Sequence, residues 1–119
     1  MALQDRITNM ANDIFNVLGY GHCEEVYTSA FKIALEDDPT VVEFETEKLI
    51  HIKFRDRHVG VERVGIIVND ELIIILKTDS VLNDNIEQCR MYMRCTDIQH
   101  GMVIIFPKRH TRLLIEHVV

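Results

Sequence analysis

The chain of 119 residues is 47% hydrophobic and 27% charged, a balance that is typical of a folded domain and excludes a disordered or low-complexity protein. Its formal net charge of −6 argues against a protein that holds nucleic acid through a generally basic surface. No apolar run reaches the length of a membrane span, and MALQDRITNM lacks the apolar segment of a secretory signal. We therefore expect one domain over residues 1–119, intracellular (cytoplasmic or nuclear), with no membrane partner.

Two helices are predicted first. Apolar residues recur at helical spacing from Ile7 to Leu18 and stop at Gly19 and Gly21. A second helix is expected to begin near His22 and to end at 37–39. Its predicted inner face is Cys23, Val26, Tyr27, Ala30, Phe31 and Ala34. Glu24 falls in its first turn, where the helix dipole favours an acid even if the residue has no functional role.

Strands are predicted from Val41 onward. VVEFE predicts a short strand, residues 50–55 a half-exposed one, and residues 56–58 a turn. A hairpin of strands 59–68 and 72–76 follows, joined at Asn69 and Asp70. Its second strand is apolar throughout, which predicts burial on both faces. Lys77 ends it, as is typical of a strand that returns to water.

A third helix is predicted with Ser80 as its N-cap and an apolar stripe from Leu82 to Met93. A buried strand from Met102 to Phe106 and a last strand, LLIEHVV, follow. This order of elements predicts an α+β or α/β sandwich around one mixed sheet.

Cysteine and histidine spacing argues against a metal site. Cys23, Cys89 and Cys95 contain no CxxC pair, so reduced core thiols are expected. The six histidines form no HxxxH or HxH pair, which argues against a histidine-based site. Two short basic stretches remain, around Arg55, Arg57 and His58, and around Lys108, Arg109, His110 and Arg112.

Five motifs, in order, resemble those of the GxxExxY proteins, a branch of the PD-(D/E)XK nuclease-like superfamily. The run GYGHCEEVY at 19–27, with Ala30, resembles the signature of that branch. Gly60, Arg63 and residues 66–68 resemble its G…RxDxxV strand, and residues 72–78 resemble its VIVELKA strand. Gln88 and Tyr92 match its QxxxY helix, and residues 101–106 resemble its GLLINF strand. The resemblance implies a nuclease-like core, in which a mixed central sheet is flanked by helices. It also implies Mg²⁺-dependent phosphodiester cleavage by two strand carboxylates, a helix acid and a lysine.

Only part of that site is present. By resemblance, Glu24 matches the helix acid, Lys77 the lysine and Gln88 the supporting glutamine. Gly65 and Ile75 stand where the family has its two strand acids, and no acid lies between 63 and 68 or between 72 and 76. The loss therefore does not depend on register. Four acids elsewhere are the candidates for a migrated carboxylate: Glu62, Asp70, Glu71 and Asp79.

The leading hypothesis is a catalytically inactive domain with a binding or structural role, without metal or other cofactor. Glu24 is then expected to form a salt bridge with Lys77. Its partner would be another protein or a second copy, paired through the last strand. By resemblance to bacterial and large-DNA-virus proteins, the hypothesis includes an accessory protein or a virion component.

Two alternatives stay open. One is a metal-dependent DNA endonuclease that uses a migrated carboxylate and Mg²⁺. The other is an accessory protein that binds DNA through five basic residues, Arg55, Arg57, Lys108, Arg109 and Arg112.

Overall fold

The computed structural model describes all 119 residues as three helices and five strands. The elements are α1 (Leu3–Leu18), α2 (Glu24–Asp37), β1 (Phe44–Phe54), β2 (Arg57–Val68), β3 (Leu72–Thr78), α3 (Leu82–Thr96), β4 (His100–Phe106) and β5 (Leu114–Val118). The strands form one sheet in the order β1-β2-β3-β4-β5, in which only β3 and β4 pair in parallel. The predicted α+β architecture with a mixed sheet is confirmed.

The helices cover both faces of the sheet. The apolar faces of α1 and α2 pack on one side, where Tyr27 and Phe106 stack with their ring centroids 4.1 Å apart. The α3 helix packs on the other side through Cys89 and Tyr92. Successive residues of β3 alternate between these two clusters, and each from Leu72 to Leu76 is at most 7% exposed. The predicted burial of this strand on both faces is confirmed. None of the three helices has the length and hydrophobicity that crossing a membrane requires.

The two strands predicted at 41–45 and 50–55 are one strand, β1, so that prediction was wrong. Glu47 adopts a positive φ of 54°, which interrupts the side-chain alternation without ending the pairing with β2. The turn is also shorter than expected. Arg55 and Asp56 make it with positive φ values, and Arg57 and His58 already belong to β2.

Two details of the helices differ from expectation. The buried residues of α2 are Tyr27, Phe31 and Leu35, whereas Val26 lies on the outer face and is 38% exposed. Ser80 does not cap α3, because Val81 occupies the N-cap position. The Ser80 hydroxyl instead accepts a hydrogen bond from the buried side-chain amide of Asn85, at 2.7 Å.

The cysteines also divide between core and surface. Only Cys89 is buried, and Cys23 and Cys95 are exposed. Core thiols were therefore wrongly expected for two of the three positions. Cys23 precedes α2 and Cys95 lies near the end of α3, outside the stripes that pack on the sheet.

Beyond the pairing with β3, β1 and β2 continue as a two-stranded extension, residues 48–63, here called the arm. The β2–β3 pairing covers only Ile66 to Val68, so the arm residues of β2 pair with β1 alone. The arm carries five Lys or Arg and two Asp or Glu, a formal charge of +3, whereas the rest of the chain carries −9. It exposes the apolar side chains of Leu49, Phe54, Val59 and Val61.

Candidate functional site

A cleft of about 560 Å³ opens where β2 separates from β3. Its walls come from α2, β1, β2, β3 and α3. Because the β2–β3 ladder ends at the pair of Ile66 and Ile74, residues 63–65 and 75–77 line this opening instead of bonding to each other. The separation of two neighbouring strands therefore creates a concave surface that is lined by residues of both helical layers.

The cleft brings together every residue of the predicted remnant site. Glu24 is the first residue of α2, and Lys77 is the penultimate residue of β3. Gln88 and Tyr92 enter from successive turns of α3. Burial, with the nearby carboxylate of Glu62 as the next contribution, raises the pKa of the Tyr92 phenol. The phenol is therefore a neutral hydrogen-bonding group at neutral pH.

Gly65 and Ile75, the positions without acids, also line the cleft. A Cβ atom on residue 65 would lie 2.8 Å from the carbonyl oxygen of Ile74, closer than side-chain carbons approach a backbone. Ile75 is 2% exposed and packs in the cluster beneath α3. The backbone at one position and the packing at the other are thus adapted to these two residues.

The expected salt bridge between Glu24 and Lys77 is not formed, so that expectation was wrong. The four ion pairs of the structure involve other residues, and Lys77 makes no side-chain hydrogen bond. Alternation along β3 places Lys77 on the face of Ile75, towards α3. Glu24 belongs to α2, which packs on the opposite face of the sheet.

Glu47 is a cleft residue that the sequence did not reveal. It lies on β1 between the pairs Thr46–Ile66 and Lys48–Val64, across from Gly65. Its carboxylate is 3.9 Å from the guanidinium of Arg63, and both side chains are largely exposed, so the pair is weak. Only the strand register could have found it, because the irregular φ at Glu47 breaks the pattern that predicts a strand face.

The charges of the cleft are balanced. Three carboxylates, Glu24, Glu25 and Glu47, line it together with three cations, Lys32, Arg63 and Lys77. None of the four candidates for a migrated carboxylate, Glu62, Asp70, Glu71 and Asp79, lines the cleft. Asp70 and Glu71 lie in the turn before β3, at the strand end opposite Lys77.

Tyr27 holds the turn that leads from α1 into α2. Its hydroxyl donates a hydrogen bond to the carbonyl of Gly19 at 2.7 Å and accepts one from the backbone N–H of His22 at 3.3 Å. Tyr27 is fully buried. Tyr27 therefore fixes the α1–α2 turn that positions Glu24.

The basic residues lie outside the cleft. Arg55 and Arg57 are at the tip of the arm, and Lys108, Arg109 and Arg112 are in the β4–β5 connection, all of them exposed. The tip of the arm and the carboxyl ends of β3 and β4 point to the same end of the sheet, because β2 is antiparallel to β3. Both basic segments thus lie at the sheet end that holds Lys77.

A family model described as the PD-(D/E)XK nuclease superfamily matches residues 1–118. The chain belongs to the PD-(D/E)XK nuclease superfamily. The crystal structure of SSO0001 is similar over 79% of the chain, with a TM-score of 0.60 and 15% sequence identity, which is a likeness of fold alone. The chain spans 49% of the length of that protein. No curated protein shows a significant sequence match.

Metal-dependent PD-(D/E)XK nucleases need several oxygen ligands around one hard cation, and the donor set of this cleft does not fit one. No group of three His, Cys, Asp or Glu side chains is close enough to hold a metal ion. Gly65 and Ile75 have no side-chain oxygen, and the Glu47 carboxylate faces Arg63.

Proposed function

We propose that this chain is a catalytically silent superfamily member of the GxxExxY branch, and that it keeps the fold for a binding or structural role without a metal cofactor. The observation that carries the proposal is the close approach of Gly65 to the Ile74 carbonyl. A strand acid at position 65 would need the backbone of β3 to move, so the inactive site is built into the sheet and is more than one missing side chain.

Cleavage assays test the proposal directly. Purified protein would be incubated with plasmid DNA and with single-stranded DNA in Mg²⁺ or Mn²⁺, beside a Lys77→Ala variant. We expect no cleavage by either protein. As a matched control, Lys48→Ala removes a lysine of β1 that does not line the cleft. Cleavage that persists in Lys48→Ala and disappears in Lys77→Ala would overturn the proposal and favour a nuclease that uses a migrated carboxylate, for which Glu47 is the best placed.

DNA binding without cleavage is the second candidate function. The charge of the arm, +3 against −9 elsewhere, supports it, as does the position of the second basic segment at the same end of the sheet. A two-stranded ribbon is also narrow enough for the major groove of DNA. Outside these two basic segments the chain is acidic, which would oppose DNA binding elsewhere on the surface.

Binding to duplex DNA across a salt series separates this candidate from a protein-binding role. DNA binding through the arm predicts a steep loss of affinity with salt, and a slope reduced by about 1 for each phosphate-contacting arginine removed in Arg55→Ala and Arg57→Ala. Arg90→Ala is the matched control, since Arg90 is exposed on α3 and pairs with Glu87. Weak binding with a flat salt dependence would instead favour a protein partner.

Self-association is the simplest form of the protein-binding role. The β5 strand is at one edge of the sheet and pairs only with β4, so a second copy would extend the sheet by pairing with its free edge. Mass measurement during size-exclusion chromatography tests this. A monomer at all concentrations would exclude the dimer and leave a different protein as the partner.

A further inference from the structure

A one-residue bulge near the tip of the arm places two histidines on the same face. The paired residues of β1 and β2 keep one register from Phe44–Val68 to Ile52–Gly60 and then shift, so that Lys53 pairs with His58 and Val59 is the extra residue. Without the bulge, His58 would pair with Phe54 and would point to the opposite face from His51. The shift therefore brings the two imidazoles together across the strands.

The two imidazoles lie within hydrogen-bonding distance of each other. The Nδ1 atom of His51 is 3.3 Å from the Nε2 atom of His58, and both side chains are exposed. Imidazole nitrogens bind zinc at about 2.0–2.1 Å, so two nitrogens 3.3 Å apart subtend roughly 104–111° at a shared ion. This range includes the tetrahedral angle that zinc adopts. A bound ion would replace the hydrogen bond between the two rings, and each ring would turn the lone pair of its nitrogen towards the ion.

We propose that His51 and His58 form a binding site for a divalent transition-metal ion of the class that prefers imidazole, with Zn²⁺ as the representative. The two histidines supply two ligands, and water completes the coordination, because no third His, Cys, Asp or Glu side chain is grouped with them. Mg²⁺ does not bind there, since it requires oxygen ligands. The site is separate from the cleft, which neither histidine lines.

A metal ion at this pair would link β1 to β2 in the arm, where β2 no longer pairs with β3. No third strand supports the arm, since its β2 residues pair with β1 alone. An ion that binds both histidines only in the folded hairpin stabilises that hairpin by linkage. The ion would thus order the basic tip that carries Arg55 and Arg57.

The test is a Zn²⁺ titration of the full-length chain, followed by calorimetry and by the histidine ring signals in NMR. A Cys23→Ser/Cys95→Ser background removes the two exposed thiols as competing ligands. We expect saturable binding that shifts the ring signals of His51 and His58, and a loss of affinity of at least about tenfold in either His51→Ala or His58→Ala. Both positions are exposed, so the variants should fold.

His117→Ala is the matched control, because His117 is an exposed histidine on another strand without an imidazole neighbour in hydrogen-bonding range. The zinc affinity of the His117→Ala variant should equal that of the parent protein. Equal affinities in the His51→Ala, His58→Ala and parent proteins would overturn the proposal. So would the absence of saturable binding at millimolar Zn²⁺, or binding of Mg²⁺ with the same ring-signal shifts.

Discussion

The carbonyl oxygen of Ile74 occupies the space in which a side chain on residue 65 would begin, at 2.8 Å from the position of its Cβ atom. The two residues lie on β2 and β3 at the point where the strands separate. A nuclease-like site needs a carboxylate on the first of these strands. The close approach of the second strand is therefore a physical reason why substitution of Gly65 alone would not restore a ligand.

Gly65→Ala should lower the free energy of unfolding by about 1–3 kcal/mol, because the added methyl group overpacks against a backbone that cannot yield cheaply. Gly60→Ala is the matched control. A Cβ atom there meets no atom within 4 Å, so we expect a change within about 0.5 kcal/mol. Urea denaturation of both variants measures the difference. Equal stabilities would show that the strands at Gly65 adjust freely.

Reinstating both acids, as Gly65→Asp with Ile75→Glu, should destabilise the protein without producing cleavage. The first change meets the Ile74 carbonyl, and the second places a carboxylate at a position that is 2% exposed within an apolar cluster. Thermal melting and a Mg²⁺-dependent plasmid assay report the two effects. A stable double variant that cleaves DNA would show that the backbone at Gly65 and the packing at Ile75 do accommodate the two acids.

Tyr27→Phe should lower the free energy of unfolding by about 1–2 kcal/mol. The carbonyl of Gly19 loses its hydrogen-bond donor, whereas the stacking of the ring on Phe106 is kept. Tyr20→Phe removes a hydroxyl from the neighbouring exposed tyrosine, which makes no hydrogen bond through that hydroxyl, and should be close to neutral. Chemical denaturation compares the two. A neutral Tyr27→Phe would mean that the hydroxyl does not hold the α1–α2 turn.

The ion pair between Arg6 and Asp38 predicts a dependence of stability on pH. Two hydrogen bonds, of 2.9 and 3.0 Å, join their side chains, and this hydrogen bonding from Arg6 is the largest cause that lowers the pKa of Asp38 from 3.8 to about 2. A carboxyl group whose pKa is lower in the folded state contributes stability above its unfolded value. The contribution is lost as the pH falls from 3.8 towards 2.

Asp38→Asn should therefore be less stable than the parent protein at pH 7, and the difference should shrink below pH 3.8. Asp37→Asn is the control, since Asp37 is exposed and forms no ion pair. Urea denaturation at several pH values gives the free energies of unfolding. A difference that stays constant down to pH 2 would show that Asp38 does not titrate as proposed.

Thiol labelling should distinguish Cys89 from the other cysteines. Burial raises the pKa of the Cys89 thiol to about 11, and a thiol rather than a thiolate is poorly reactive. With iodoacetamide at pH 8, native protein should be modified at Cys23 and Cys95, and at Cys89 only after unfolding. Peptide mass spectrometry identifies the sites. Rapid native labelling of Cys89 would mean that α3 opens readily from the sheet.

The sequence predicted the elements whose evidence is local. Helical spacing located α1, and the unbroken apolar run of β3 predicted its burial on both faces, which the structure confirms. Ser80 was misassigned as a cap because a serine before a helix also serves other side chains, here Asn85. The predicted inner face of α2 wrongly included Val26, because the sequence does not distinguish an apolar residue next to the buried stripe from one within it.

By itself, the sequence determined the order of elements, the buried strand that ends at Lys77, and the absence of acids at 65 and 75, because hydrophobic periodicity and residue identity are local properties. Tertiary structure alone decided that β1 is continuous through Glu47, that Glu24 and Lys77 do not pair, and that His51 meets His58. These relationships depend on strand register, on a single bulged residue and on which face of the sheet a helix covers. A change of one position in the register of the arm would place His51 and His58 on opposite faces, and no spacing along the chain predicts that register.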